Sequence, residues 1–248
     1  SVAVTNEFMN AVQKNKNYNL INPRTQKKVK TESAGKIFEL MSETAHKTGD
    51  PGIIFLDKIN NDNPTPGLGL LESTDSCGEQ PLLPYESCNL GSINLYKFVN
   101  EQKDDVDWDS LKKAVYTAVH FLDNVIDMNK YPIPEIEDMT KQTRKIGLGV
   151  MGYADMLYEI GVKYDSEEGL AMAEKIMSFI HKEAYAASQQ LAEERGVCPA
   201  WKGSDHEKAG RKMRNTCCTT IARTGTLSMM AECSGGCDPN FAISYIKN

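Results

Sequence analysis

The sequence holds no apolar run long enough to cross a bilayer, no recognisable signal peptide and no surplus of positive charge. The first two absences set membrane partners aside and make a cytoplasmic setting with reduced thiols the expectation. The third counts against a nucleic-acid partner. The formal net charge is -6, and a broad phosphate-backbone footprint needs a basic excess. A local phosphate site stays open, because backbone N–H groups can supply the positive potential. Internal repeats, low-complexity tracts and Gly/Ser linkers are also missing, so residues 1–248 read as one domain without an internal boundary. Seven cysteines, an odd number, do not suit a secreted disulfide framework. What is present is ordinary for a globular chain: 40% hydrophobic and 25% charged residues among 248, enough to bury a sizeable core. A chain that opens on Ser1 and closes on Asn248 with no obvious stop reads as a piece of something longer.

Periodicity places the helices. Ala34 to Lys47 is amphipathic, with Ile37, Leu40, Met41 and Thr44 on one face, and Gly49-Asp50-Pro51-Gly52 ends it. A short apolar run, Ile53 to Ile59, is followed by a loop over Asn60 to Gly69. Trp108, Leu111, Val115, Val119, Leu122 and Ile126 predict a second helix that stops near Tyr131-Pro132. A third runs from the N-cap Ser166 to Arg195, with Gly196 as its stop and a stripe of Ala173, Ile176, Phe179, Ile180, Ala184, Ala187 and Leu191. Candidate strands are Cys88 to Leu95, Lys145 to Val150 and Thr216 to Ala222. Strands alternating with helices imply an α/β fold, and no segment reads as a complete closed sheet.

Gly147-Leu148-Gly149-Val150-Met151-Gly152 is formally a G-x-G-x-x-G motif. A dinucleotide site would need a buried strand just before it, and Thr140 to Lys145 is too charged for one. A tight strand-to-helix turn with closely packed backbones is the better reading, and a nicotinamide-dependent dehydrogenase is not expected. Cys217, Cys218, Cys233 and Cys237 form a loose cluster, but adjacent cysteines in a strand point to opposite faces. Buried free thiols are expected there, and no metal site. Thr224-Gly225-Thr226-Leu227-Ser228 follows a candidate strand and could open a helix. It is either a phosphate-binding turn or an ordinary capped glycine turn.

The richest stretch runs from Ser73 to Leu95. In an extended loop, residues two apart share a side, so Asp75, Cys77 and Glu79 would place a thiol between two carboxylates. That is a cysteine with an acid/base partner.

This stretch resembles the active-site finger loop of ribonucleotide reductases, which carry Asn-x-Cys-x-Glu there. Pro81-Leu82-Leu83-Pro84-Tyr85-Glu86-Ser87-Cys88-Asn89-Leu90-Gly91-Ser92-Ile93-Asn94-Leu95 is similar to the adenosylcobalamin-dependent class. Ser1 to Met9, Asn22 to Thr25, Gly49 to Gly52, Ile146 to Leu157, and Thr220-Ile221-Ala222 through Ser228 follow in family order, so the likeness covers the chain. It implies part of a ten-stranded α/β barrel with the cysteine loop threading its centre. It also implies reduction of ribonucleoside di- or triphosphates with adenosylcobalamin as cofactor. Cys77 would be the thiyl site that takes the 3′-hydrogen, Glu79 the base on the 3′-hydroxyl, and Cys88 one thiol of the reducing pair. Thr224 to Ser228 would cradle the substrate phosphates. The remainder of the reductase chain or a complementary subunit, a thioredoxin-like reductant and a second copy in a homodimer are the implied partners.

Three positions depart from the family pattern. Asp75 replaces the asparagine and loses its N–H donors. Arg223 replaces the proline before Thr-Gly-Thr and could add a phosphate partner. Ser76 replaces a further frequent proline. The second redox cysteine is expected outside this chain. Asp75 and Arg223 also motivate an alternative: a non-catalytic nucleotide-binding or assembly relative that keeps the fold.

Overall fold

The computed structural model describes residues 1–240, 242 and 244. They form two compact units, Ser1–Asn63 with Leu70–Ser73, and Pro64–Gly69 with Thr74 onward.

In the first unit, strand β1 (Val2–Val4) leads into helix α1 (Asn6–Gln13), whose first turn is capped by Thr5 Oγ1 accepting the Phe8 N–H. Strands β2 (Asn17–Ile21) and β3 (Lys28–Ser33) pair antiparallel. Helix α2 (Ala34–Thr48) starts on the Ser33 cap and ends at Gly49, whose φ of 83° suits a residue without a Cβ. Strand β4 (Ile53–Phe55) runs parallel to β1, and α3 (Leu56–Asn61) follows. Val4, Phe8, Ala34 and Met41 make the small core. Two expectations change here. Leu40 lies at the edge of the α2 stripe and is exposed, since Met41 takes the inward position. The loop expected from Asn60 gives its first two residues to α3 and holds a 3-10 turn at Pro66–Leu68 in the second unit.

The second unit carries the larger core. Two-residue strands β5 (Ser73–Thr74), at the unit boundary, and β6 (Pro81–Leu82) flank the cysteine loop in sequence. Strand β7 (Asn89–Asn94) pairs in parallel with β8 (Ile146–Met151), in register from Asn89↔Ile146 to Asn94↔Met151. Parallel neighbours need a long crossover. Here it contains α4 (Trp108–Met128) and α5 (Pro134–Thr143). Asp107 caps α4 by accepting the Ser110 N–H, and Leu111, Val115, Val119, Leu122 and Ile126 bury its predicted face. Each such side chain contributes about 1.5–3 kcal/mol on leaving water. After β8 come α6 (Tyr153–Glu159) and α7 (Glu167–Arg195), then the one-turn helices α8 (Asp205–Lys208) and α9 (Leu227–Met230). Helix α7 begins on the Ser166 cap and stops at Gly196, and its stripe packs into the same core as α4.

The fold is α/β. Every sheet among the described residues has two strands, and no closed barrel forms among them. Thr216 to Ala222, expected as a strand, is an extended segment with one bridge, Leu148↔Thr219. Its backbone still lies along β8, through Ile146 N–H to Cys217 O at 3.0 Å and Thr220 N–H to Leu148 O at 3.1 Å. Ile146 and Leu148 donate to consecutive carbonyls, Cys217 and Cys218, so the ladder breaks register, and the two backbones lie close. A Cβ at Gly149 would collide with the Thr220 carbonyl, and one at Gly147 would lie 2.6 Å from both Leu90 Cδ2 and Thr220 Cγ2. Gly147 and Gly149 therefore sit inside the strand. Only Gly152, at φ 71°, makes the strand-to-helix turn.

The charge of Thr140 to Lys145 did not keep that segment at the surface. Arg144 and Lys145 are 4% and 2% exposed. Arg144 Nε meets the buried Asp123 at 2.9 Å, and Lys145 Nζ meets the buried Glu86 at 2.8 Å. Partner carboxylates, invisible to local sequence, make burial tolerable.

Candidate active site

The loop from Asp75 to Gln80 is a tight turn, not the extended segment expected. Gln80 O accepts the Asp75 N–H at 3.0 Å, and Gly78 turns the chain at φ 93°. One carboxylate oxygen organises the turn: Asp75 Oδ1 accepts the Gly78 N–H at 3.1 Å and the Gln80 N–H at 3.0 Å. An asparagine carbonyl could accept the same two bonds, so the departure at position 75 preserves the device that shapes the loop.

The turn brings the three residues together by a route other than alternation. Ligating atoms of Asp75, Cys77 and Glu79 all lie within 4.8 Å of one another. Cys77 is exposed, with its Sγ 3.9 Å from Ser76 Oγ, and the two carboxylates are half-buried. Glu79 Oε2 is buried without a hydrogen-bond partner among the described residues, and a carboxylate oxygen of Glu79 lies within 4.8 Å of the thiol sulfur. The Glu79 carbonyl accepts from Thr220 Oγ1 at 3.1 Å, which ties the loop to the segment running along β8.

Cys88 stands just before β7, half-buried, with its Sγ donating to Asn89 O at 3.6 Å. Burial pushes its thiol well above the ordinary range; Cys217, Glu86 and Asp75 add to this and Lys145 opposes it. The buried-thiol expectation holds for Cys218, which burial drives far upward. Cys217 and Cys233 are half-buried instead and Cys237 is exposed.

Thr224 to Ser228 opens a helix, but only the single turn of α9. Thr224 has φ 52°, its Oγ1 accepts the Gly236 N–H at 2.8 Å, and its carbonyl accepts the Ser228 N–H at 2.8 Å. A Cβ at Gly225 would meet open space. Among the described residues no acceptor is found for the N–H groups of Gly225 or Thr226. Arg223, Gly225 and Ser228 line an open cleft of about 760 Å³, together with Asp155, Glu232 and Asp238. Thr226 and Leu227 are exposed. Asp155 was not singled out from sequence; its carboxylate accepts the Ser234 N–H at 2.5 Å and Asn240 Nδ2 at 3.1 Å, holding the far wall. Only the fold brings these segments to one cleft, so no local pattern could reveal it.

The family model described as "Ribonucleotide reductase, barrel domain" matches residues 1–248. The chain is 53% identical over 248 residues to the vitamin B12-dependent ribonucleoside-diphosphate reductase of Thermoplasma acidophilum, all of this chain and 32% of that protein. It is 48% identical over 247 residues to the protein of the same name from Mycobacterium tuberculosis, again its whole length and 35% of the relative. The subunit alpha of the ribonucleoside-diphosphate reductase of Chlamydia pneumoniae is 36% identical over 75% of this chain and 18% of its own. The chain thus spans about a third of the length of the B12-dependent relatives it matches. A thiol turned out between two carboxylates, on a loop tied to a parallel βαβ core, is here the local structure of a chain that belongs to the ribonucleotide reductase barrel-domain family.

Proposed function

We propose that this chain is the catalytic-core part of an adenosylcobalamin-dependent ribonucleotide reductase, acting on ribonucleoside diphosphates, as the names of the B12-dependent relatives suggest. The observation that carries this reading is the convergence of Asp75, Cys77 and Glu79 on a pinned turn. Activity requires the rest of the reductase chain or a complementary subunit. The implied setting is cytoplasmic, and no helix among the described residues is long and apolar enough to cross a membrane.

The exposed Cys77 thiol suits a bulky cofactor, since nothing in the turn covers it. When bound, adenosylcobalamin supplies the radical equivalent that a protein side chain cannot generate alone. The chain's own residues do the rest. Cys77, as a thiyl, takes the 3′-hydrogen of the ribose. Glu79, whose carboxylate lies within 4.8 Å of that sulfur, accepts the 3′-hydroxyl proton, a task that needs a carboxylate within hydrogen-bond reach. Asp75 holds the turn and faces the ribose as an acceptor. Cys88 gives one of the two thiols that reduce the substrate, its partner coming from outside this chain and a thioredoxin-like protein restoring the pair. The N–H groups of Gly225 and Thr226, Ser228 and the Arg223 guanidinium receive the phosphates, with Arg223, Gly225 and Ser228 lining the cleft, Thr224 fixing the turn through its bond to Gly236, and Leu227 completing the Thr224–Ser228 segment. A homodimer is the expected assembly.

Reconstitution with the remaining segments, adenosylcobalamin and a ribonucleoside diphosphate should yield deoxyribonucleotide. Cys77→Ala should abolish product while leaving nucleotide binding intact. A folded, complete assembly that makes no product would overturn the reading as an active enzyme. The alternative, a non-catalytic nucleotide-binding or assembly relative, draws on Asp75 and Arg223. It predicts nucleotide binding with no turnover in either the wild type or Asp75→Asn, whereas turnover appearing only in Asp75→Asn would mark a damaged enzyme.

A further inference from the structure

Cys88 is held from both sides. Upstream, Glu86 Oε2 accepts the Leu83 N–H and the Lys145 ammonium, each at 2.8 Å. The same ammonium donates to the Pro81 carbonyl at 3.0 Å. Downstream, Asn89 pairs with Ile146. The limb returning from the cysteine loop is thus tied to two consecutive residues at the start of β8, with Cys88 between the ties. The ion pair is dry: the Lys145 and Glu86 side chains are 3% and 0% exposed. Stripping water from two charges is costly, and a well-packed apolar pair often holds a fold equally well. Packing alone therefore does not account for charge at this spot. Glu86 Oε1 is also buried with no partner among the described residues, so the carboxylate has not been placed to saturate its own bonds.

We propose that Lys145 and Glu86 are positioning residues for Cys88: together they anchor the root of the cysteine loop, and with opposite sign they set the charge felt by the Cys88 thiol. The proposal rests on the reading of Cys88 as a reducing thiol. The ionisable groups that bear on Cys88 are Cys217, Lys145, Glu86 and Asp75. Of these only Lys145 favours the thiolate, while Glu86 opposes it from two residues away in the chain. A thiolate is the species that attacks a disulfide or an alkylating reagent, so the pair governs how readily Cys88 reacts.

The test is the rate of Cys88 alkylation by iodoacetamide in the intact, reduced chain, read peptide by peptide by mass spectrometry across the alkaline range. Lys145→Met should slow the reaction severalfold and shift its pH profile upward. Glu86→Gln, nearly isosteric, should speed it severalfold and shift the profile downward, and Lys145→Arg should keep the wild-type rate. A purely structural tie would loosen the loop in Lys145→Met and Glu86→Gln alike, moving both rates in one direction. That result, or no change in Glu86→Gln, overturns the proposal. Should Lys145→Met fail to fold, Lys145→Gln takes its place, and opposite signs in the Lys145 and Glu86 variants remain the criterion. The role of Cys88 is tested separately by loss of multiple turnover in Cys88→Ser of the completed enzyme, an assay that can fail while the alkylation order stands.

Discussion

A methyl group at Gly149 would meet the carbonyl oxygen of Thr220, a backbone atom that cannot swing aside, whereas one at Gly225 would meet nothing within 4 Å. Gly149→Ala should therefore destabilise the fold by about 1–3 kcal/mol, the usual cost of overpacking. Gly225→Ala should stay within about 0.5 kcal/mol, as surface changes do. Urea unfolding of the two variants checks both. The thiols offer a second prediction at this scale. Cys77 and Cys237 are exposed, while burial pushes Cys198 up to about 11 and Cys218 higher still. Brief alkylation at mildly alkaline pH should label Cys77 and Cys237 first and Cys218 last, followed by peptide mass. That Cys77 stands between two carboxylates could be read from residue spacing. That Asp75 organises the turn could not, because its two N–H donors are named only by the turn geometry itself.

Between elements, Arg144 is the joint. It ends α5 at φ 47° and reaches back to α4, where Nε meets Asp123 Oδ1 at 2.9 Å and Nη1 meets Asp127 Oδ1 at 2.7 Å. Asp123, fully buried, also accepts from Asn215 Nδ2 at 3.0 Å and Arg214 Nε at 3.3 Å. Asp123→Ala would remove the buried carboxylate shared by Arg144, Arg214 and Asn215, leaving Arg144 only the half-exposed Asp127, and should cost about 3–5 kcal/mol in urea unfolding. The hydrogen bond from Arg144 holds the Asp127 carboxyl below its ordinary range, against a smaller opposing effect of burial. A depressed carboxylate stabilises the fold above the unfolded pKa of about 3.9, and that stabilisation disappears as pH falls through the folded value. Asp127→Asn should therefore flatten the acid limb of stability against pH, although Asp127 is half exposed and solvent limits the effect.

At the same scale, α4 and α7 were legible because a long stripe at helical spacing has few other solutions; Ser166 also marked the start of α7, whereas the Asp107 cap of α4 was not read. The third strand was not. Thr216 to Ala222 has strand-like residues and lies along β8, yet Ile146 and Leu148 donate to consecutive carbonyls, Cys217 and Cys218, and this register break leaves one bridge. The hairpin of β2 and β3 left no trace in the apolar pattern, since most of its residues are exposed. Thr140 to Lys145 misled for the converse reason: charge reads as surface until the partner carboxylates, more than fifteen residues away in sequence, are known.

For the whole molecule, the two units differ in how much apolar surface they bury. The core of the second joins β7, β8, α4, α6 and α7, whereas that of the first rests on Val4, Phe8, Ala34 and Met41. Local opening is easiest where few apolar contacts close over the backbone. Hydrogen exchange should accordingly be slowest at the amides of β8, α4 and α7 and markedly faster throughout Ser1–Asn63. Equal protection in both units would contradict this. The sequence by itself determined the α/β class, the two long helices, the Ser166 and Gly196 ends of the second, and the family, through motifs kept in order along the chain. It could do so because periodicity and short-range spacing are local properties. Only the tertiary structure decided that Asp75, Cys77 and Glu79 meet on a pinned turn and that Arg144 and Lys145 are buried. It alone decided that Thr220 joins the cysteine loop to the segment leading to the cleft. Each of these depends on atoms brought together from distant parts of the chain, and no local pattern encodes which carboxylate a lysine will find.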